Sequence, residues 1–300
     1  MNEEKITKDV RDFYNQIGWQ MVDSEHYQNA QYEDLRPVSR EYIHCCHMRV
    51  KRHLAPSGQY LLDAGSGPVQ YPEYLTYSED YCARVCMDIS IQALKEARLR
   101  LGGHGLYVVA DIAFLPFVSN QFDGVVSLHT IHHLPMKEKL KSYQGLFRVL
   151  RPGKTIVIVE GWTNAPLMKR LSRFEHLVGR FRTWWNRQMH KEKAEPEQKN
   201  LNSEMESKQE INDKSSQVGT FVEKLDSKRL KMMLEGRMDY DILVWRSVSV
   251  SFLRAVIHQD WGGRFWLKLL FWLEERFPRF FGRMGQYPLI IVNKPVTKET

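Results

Sequence analysis

Leu61-Leu62-Asp63-Ala64-Gly65-Ser66-Gly67-Pro68 is the stretch on which the reading of this chain turns. Tyr60 to Leu62 are apolar and read as the end of a buried strand. Gly65 and Gly67 then bend the backbone before a second segment, Tyr71 to Tyr77. Glycine belongs in such a turn because a ligand reaches the main chain only where no Cβ intervenes. Asp63 changes what the turn can hold. A phosphate-binding turn welcomes an anion at the following helix, and a carboxylate two residues ahead of the first glycine repels one. An open, negatively charged loop suits a cationic or amine-bearing ligand.

Further along, two more carboxylates close strand-like segments. Ala83 to Met87 reads as a second strand ending at Asp88, and Ser90 is placed to cap a helix over Ile91 to Leu101. Leu106 to Ala110 reads as a third strand, closed by Asp111-Ile112. A carboxylate at the end of the second parallel strand reaches ribose hydroxyls across the switch point of an α/β sheet. One such acid is equally a helix cap or a solvated strand end; three at consecutive strand ends form a pattern. Phe122 to His129 follows as a fourth strand. Phe147-Arg148-Val149-Leu150-Arg151-Pro152-Gly153 then leads into a fifth, Thr155 to Val159.

Over residues 48 to 162 this succession resembles the class I S-adenosylmethionine-dependent methyltransferases, especially the subgroup that includes quinone-type methyltransferases. Val69 stands where that family often has a third glycine, and Lys154 where it usually has another. The resemblance implies an α/β, Rossmann-like fold: a seven-stranded, mostly parallel sheet with an antiparallel last strand, plus helical lid insertions. It implies S-adenosylmethionine as cofactor, touched by Asp63, Ala64, Gly65, Ser66 and Gly67, by Asp88 and Ile89 at the ribose, and by Asp111 and Ile112 at the adenine. His129 would lie beside the methionine portion, mainly through its backbone. The N-terminal helix would cover the cofactor, with Tyr14 facing it; the alternative is that Tyr14 simply packs on the core. His132 and His133 stand where an acceptor approaches and are candidate bases, against a purely pocket-shaping role.

The remaining chain divides by composition. Residues 1–54 form an N-terminal helical cap, with helical spacing over 3–20 and a helix from Ser39 to about Leu54. The cofactor-binding core is 55–162. Residues 163–190 read as a basic, aromatic lid helix and 191–218 as a polar, mobile linker too poor in apolar groups to offset ordering entropy. In 219–250, Phe221 to Leu234 has helical spacing and Tyr240 to Val250 alternates like a strand. Residues 251–285 are an aromatic, basic helical insertion, and 286–300 hold the last strand, Pro288 to Val292, and a tail. From Trp261 to Leu273 the insertion is apolar almost all round, with Arg264, Lys268, Arg276, Arg279 and Arg283 beside it. A buried lid, a dimer interface and a membrane-surface element are all compatible with that pattern.

The 300 residues, 43% apolar and 12% aromatic, support one large core with elaborations. No apolar run approaches the roughly 20 residues of a membrane span, and Met1 to Val10 is too charged for a signal peptide. Cys45, Cys46, Cys82 and Cys86 contain no C-x-x-C pair and read as free thiols of a cytoplasmic protein, peripheral at a membrane if the insertion docks there. His44-Cys45-Cys46-His47 does not have the spacing of a zinc site, and no metal is expected. The net charge of +7 permits anionic partners. No Asn-Pro-Pro-Tyr type base-flipping motif follows the fourth strand, and the acidic linker offsets the basic helix, which disfavours nucleic acid. The expected acceptor is a small, lipophilic or lipid-like organic molecule, methylated by in-line displacement. Competing readings are a nicotinamide-dependent oxidoreductase, disfavoured by Asp63, Val69-Gln70 and Asp111, and a catalytically silent cofactor-binding module that recruits the chain to membranes or partners.

Overall fold

The computed structural model describes residues 3–20, 33–172, 175, 177, 178, 180 and 220–296. The linker expected at 191–218 and most of the basic segment at 163–190 lie outside these residues, apart from a helical stretch at 166–172 and scattered positions beyond it.

Seven strands form one sheet: β1 Gly58–Ala64, β2 Tyr81–Asp88, β3 Gly105–Val109, β4 Gly124–Leu128, β5 Thr155–Val159, β6 Asp239–Arg246 and β7 Tyr287–Asn293. Their order is β3-β2-β1-β4-β5-β7-β6, with β7 antiparallel between β5 and β6 and every other pairing parallel. The order reverses at β1 and β4, so the crevice beyond the C-terminal ends of those strands is the natural ligand position. The expected fold is the one observed.

Alternation along the central strands feeds two cores. Leu61, Val126, Val157 and Leu289 face one side, with Cys46 and Val50 of α2 (Arg40–Lys51) and Leu94 and Ala97 of α4 (Ile91–Leu101). Leu62, Val125, Ile156 and Ile290 face the other. There they meet Leu146 of α5 (Met136–Val149) and Leu230 and Leu234 of α6 (Ser227–Leu234). These side chains are almost completely buried. The remaining helices are α1 Glu3–Phe13, continued by a π-helical turn Tyr14–Gly18, and the short α3 Pro72–Leu75. After β6 come α7 Val250–Val256, α8 Gly263–Arg276 and α9 Pro278–Met284.

Several boundaries differ from the sequence reading, each for a local reason. Ser39 precedes α2 without capping it; its hydroxyl donates to Asp34 Oδ2 at 2.6 Å instead. Residues 221–226 are not helical. Asp226 caps α6 by accepting from the backbone N–H groups of Lys228 and Arg229. The segment before it lies along the turn after β4, where Glu223 N–H donates to the His132 carbonyl at 2.7 Å. Strand β6 ends at Arg246, because Ser249 caps α7 by accepting from Phe252 N–H. Helix α8 is not a buried lid all round: Leu267 and Glu274 are buried, whereas Phe265, Trp266 and Trp272 face outward.

Candidate active site

A cleft of about 1020 Å³, counted with its open mouth, lies beyond the C-terminal ends of β1, β2, β3 and β4. The turn after β1 forms its floor. Gly65 and Gly67 have φ of +79° and +53°, which side chains with a Cβ rarely adopt. A Cβ on Gly65 would lie 2.2 Å from the Thr130 side chain, and one on Gly67 2.9 Å from the Trp19 ring. Both glycines are therefore fixed by conformation and by space. Val69, at the position where the family often has glycine, keeps the left-handed conformation, with φ +54° and a fully buried side chain. The backbone shape survives there without the residue that would adopt it freely.

Asp63 is not an isolated charge. Arg84, two residues before Cys86, lies on the same face of β2, and Cys86 is the register partner of Asp63. Arg84 Nε donates to Asp63 Oδ2 at 3.1 Å, joined by Nη2, and both side chains are buried. Its Nη1 donates to the Tyr74 carbonyl. The expectation of a negatively charged loop is corrected: Asp63 lines the cleft as half of an ion pair.

Asp88 closes β2, and among the described residues no cation pairs with it. Its Oδ2 accepts from Gly67 N–H at 2.9 Å and its Oδ1 from Ser90 N–H at 2.8 Å. Burial pushes its pKa up to about 6, and those two N–H groups offset only part of the effect. Asp111 is also raised by burial, partly offset by Ala113 N–H, which donates to its Oδ1 at 2.8 Å. A buried and a half-buried carboxylate with acceptor capacity left over suit neutral hydroxyl and amino donors. Ile89 and Ile112 line the cleft beside them. Ala64 does not: it is buried at the end of β1, where its carbonyl accepts from Ser127 Oγ at 2.8 Å.

The far wall comes from β4 and the N-terminus. His129 has φ +55° and donates its N–H to the Val159 carbonyl at 2.7 Å. Its ring lies edge-on to Trp245 and Tyr287, and burial, reinforced by nearby His132, lowers its pKa to about 3. Tyr14 faces the cleft, and its hydroxyl is 2.8 Å from His133 Nε2. His133 Nδ1 is 2.8 Å from the Phe221 carbonyl, which can only accept. Nδ1 therefore carries the proton, Nε2 is the acceptor, and Tyr14 donates. Burial, with the charge of His132, keeps His133 neutral by lowering its pKa to about 3. The second anchor of the N-terminal segment is Asn15 Oδ1, which accepts from Ser90 Oγ at 2.8 Å.

His132 points elsewhere. Its Nδ1 meets Glu160 Oε2 at 2.8 Å beside a small space lined by Lys139, Tyr143 and Trp162, separate from the cleft. Burial works to raise the Glu160 pKa, but the facing His132 outweighs it and holds the carboxylate down at about 2. Lys139, lowered by burial to about 8, donates to the Ile131 and Leu134 carbonyls and fixes this turn. Among the described residues, no three His, Cys, Asp or Glu side chains are grouped to hold a metal. His47 of the His-Cys-Cys-His stretch is engaged by Glu33 and Glu73. Trp19, Thr130 and Arg84 escaped the sequence reading. An arginine inside an otherwise apolar strand was the one available signal for Arg84.

Residues 62–158 match the family model described as "Methyltransferase domain". Malonyl-[acyl-carrier protein] O-methyltransferase of Enterobacter lignolyticus (strain SCF1) is 38% identical over 93 residues, covering 31% of this chain and 35% of that one. A ubiquinone/menaquinone biosynthesis C-methyltransferase of Yersinia enterocolitica is 32% identical over 94 residues, covering 30% and 36%. The chain thus spans little more than a third of the length of either. In fold it is similar to geranyl diphosphate C-methyltransferase from Streptomyces coelicolor A3(2), with a TM-score of 0.51, 12% identity and coverage of 96% and 97%. Residues 62–158 are thus similar to the methyltransferase domain, and the α/β fold around them is the Rossmann-like one of S-adenosylmethionine-dependent methyltransferases.

Proposed function

We propose that this chain transfers the methyl group of S-adenosylmethionine to a small, lipophilic organic acceptor. The observation that carries the reading is the meeting of Gly65, Gly67, Asp88, Asp111, Tyr14 and His129 on one cleft, although their segments are scattered over more than a hundred residues. The residues fit the cofactor. The glycine turn lines the cleft in a left-handed conformation that brings its backbone to the surface, Asp88 has acceptor capacity for a vicinal diol, and Asp111 Oδ2 is available to an exocyclic amino group. Asp63 acts mainly through Arg84, holding the turn rigid, and offers its remaining acceptor capacity to an ammonium group. When bound, the sulfonium supplies an electrophilic methyl group and leaves as a neutral sulfide.

The chain's own contribution is alignment and exclusion of water. Tyr14 and Trp19 cover the cleft from the N-terminal segment. His129, held neutral, places no positive charge beside a sulfonium. His133 is the base for an acceptor that must lose a proton, since it lines the cleft beside Tyr14 and its unprotonated Nε2, which accepts from the Tyr14 hydroxyl, can take up a proton passed through it. His132, turned toward Glu160, is a positioning residue. A lipophilic acceptor accords with the aromatic rings of Tyr14, Trp19 and Tyr74 that line the cleft. The related proteins add support: one methylates geranyl diphosphate and another is named for quinone biosynthesis.

Calorimetry of the full chain with S-adenosylhomocysteine and, separately, NADH tests the cofactor. Saturable heat with the first alone supports the reading; heat with NADH alone refutes it. Labelled S-adenosylmethionine incubated with fractionated cell extract then reports the acceptor, and label confined to nucleic acid or protein fractions excludes a lipophilic one.

A further inference from the structure

Helix α8 leaves much of its apolar surface uncovered. Its inner side is fixed to the body: Leu267 is buried, and Glu274 accepts from Tyr42 Oη at 2.9 Å, Arg49 Nη1 at 2.9 Å and Ser247 N–H at 2.9 Å. On the outer side Phe265, Leu269 and Trp272 recur at i, i+4 and i+7, with Trp266 beside them. Phe265, Trp266 and Trp272 are 65%, 54% and 59% exposed. Phe277 and Phe280 extend the patch onto α9, and they too are exposed. Three large aromatic rings on one outward helix face are far from the scattered single apolar residues of an ordinary surface.

The charges around the patch indicate what covers it. Arg264 borders the aromatic row together with Lys268, which is 3.5 Å from Glu41, and Arg276 and Arg283 follow toward α9, where Arg279 pairs with Asp241 at 2.9 Å. The acids of this segment face inward or are engaged. Glu274 is fully buried, and Glu275 pairs with Arg49 and Arg52. A second copy of this chain seated face to face would set this basic rim against itself. An anionic lipid surface is complementary to it, with rings entering the acyl boundary while guanidinium and ammonium groups stay at the headgroups. At 14 residues, about 21 Å, α8 is too short to cross a bilayer, and among the described residues no helix is long and apolar enough to do so. A helix of this character lies in the interface plane.

We propose that the outer face of α8, with Phe265, Trp266 and Trp272 as its anchors, docks this protein on anionic phospholipid membranes. The surface lies outside the cofactor cleft and stands whether or not methyl transfer is confirmed.

Co-sedimentation of the full chain with vesicles of phosphatidylcholine alone, and of phosphatidylcholine with phosphatidylglycerol, is the test. Binding is expected to the anionic vesicles and to weaken with salt. The Phe265→Ala/Trp272→Ala variant should lose binding by about tenfold or more, the scale of burying a large apolar side chain. Arg264→Gln/Arg276→Gln should also lose about tenfold or more, at about fivefold per basic residue. Thermal melting and S-adenosylhomocysteine affinity of both variants, measured alongside, should match the parent because all four side chains lie outside the cleft. Equal binding to neutral vesicles, binding unchanged in either variant, or a dimer in sedimentation equilibrium that depends on Trp272 would each overturn the assignment.

Discussion

Replacing Asp88 with asparagine separates what this residue does for the fold from what it does for the ligand. The carboxylate is 9% exposed, accepts two backbone N–H groups, and has a pKa raised from 3.8 to about 6. The folded protein therefore binds a proton here that the unfolded chain has already released. Between those two values, stability falls as pH rises. The ionised group at neutral pH costs about 3 kcal/mol relative to an unperturbed one. Asp88→Asn removes that cost. It also turns an amide NH₂ toward Gly67 N–H or Ser90 N–H, a mismatch of about 1–3 kcal/mol. The two effects nearly cancel, so the variant should melt close to the parent. Ligand affinity should not be spared. A diol that donates to a carboxylate loses at least one charge-assisted bond, about 1.5–3 kcal/mol, so S-adenosylhomocysteine should bind roughly 10- to 100-fold more weakly. Parent affinity should fall below about pH 6, toward tenfold per pH unit, as the carboxylate protonates, and the variant should be flat over that range. Calorimetry across pH, beside thermal melts, reads both effects. A variant that keeps the parent's affinity, or a parent with pH-independent affinity, would refute the role given to Asp88.

Other perturbations address the rest of the site. Arg84→Met should destabilise the protein by about 3–5 kcal/mol by stranding buried Asp63, and a urea midpoint within error of the parent would show that the pair holds nothing together. Tyr14→Phe removes a bond worth about 1 kcal/mol, so S-adenosylhomocysteine should dissociate about fivefold faster; an unchanged off-rate would mean that Tyr14 does not secure the cleft. His133→Ala should lower turnover with little change in cofactor affinity, whereas equal loss of both would argue against a base. Glu33, Glu73 and Glu160 are held at about 2, below the ordinary 4.5. Stability from these groups is fully present above 4.5 and should drain away as pH falls toward 2, the opposite sign to Asp88; melting temperatures that rise on acidification through that window would contradict their ion pairing.

The sheet was legible because its signals are local. Alternating apolar residues end at an acid or a glycine, and the Ser90 cap of α4 and the limits of β5 fall where the residues alone place them. What escaped depends on register or on packing. The Asp63–Arg84 pair exists because β1 and β2 align residues more than twenty positions apart. Residues 221–225 have helical spacing, but they bond the turn around His132 and His133 rather than one another. The neighbouring histidines 132 and 133 are equivalent in sequence and opposite in placement, one toward Glu160 and one toward Tyr14. In α8, apolar residues on every side of the helix conceal which face is covered, and only the tertiary fold shows the aromatic row outside.

A crystal structure of the full chain grown with S-adenosylhomocysteine tests the central claim most directly. The ribose hydroxyls should lie within hydrogen-bond distance of Asp88, the adenine amino group at Asp111, and the amino-acid portion over the Gly65–Gly67 turn beneath Tyr14. A ligand bound with none of these groups at those side chains, or found outside this cleft, would contradict it.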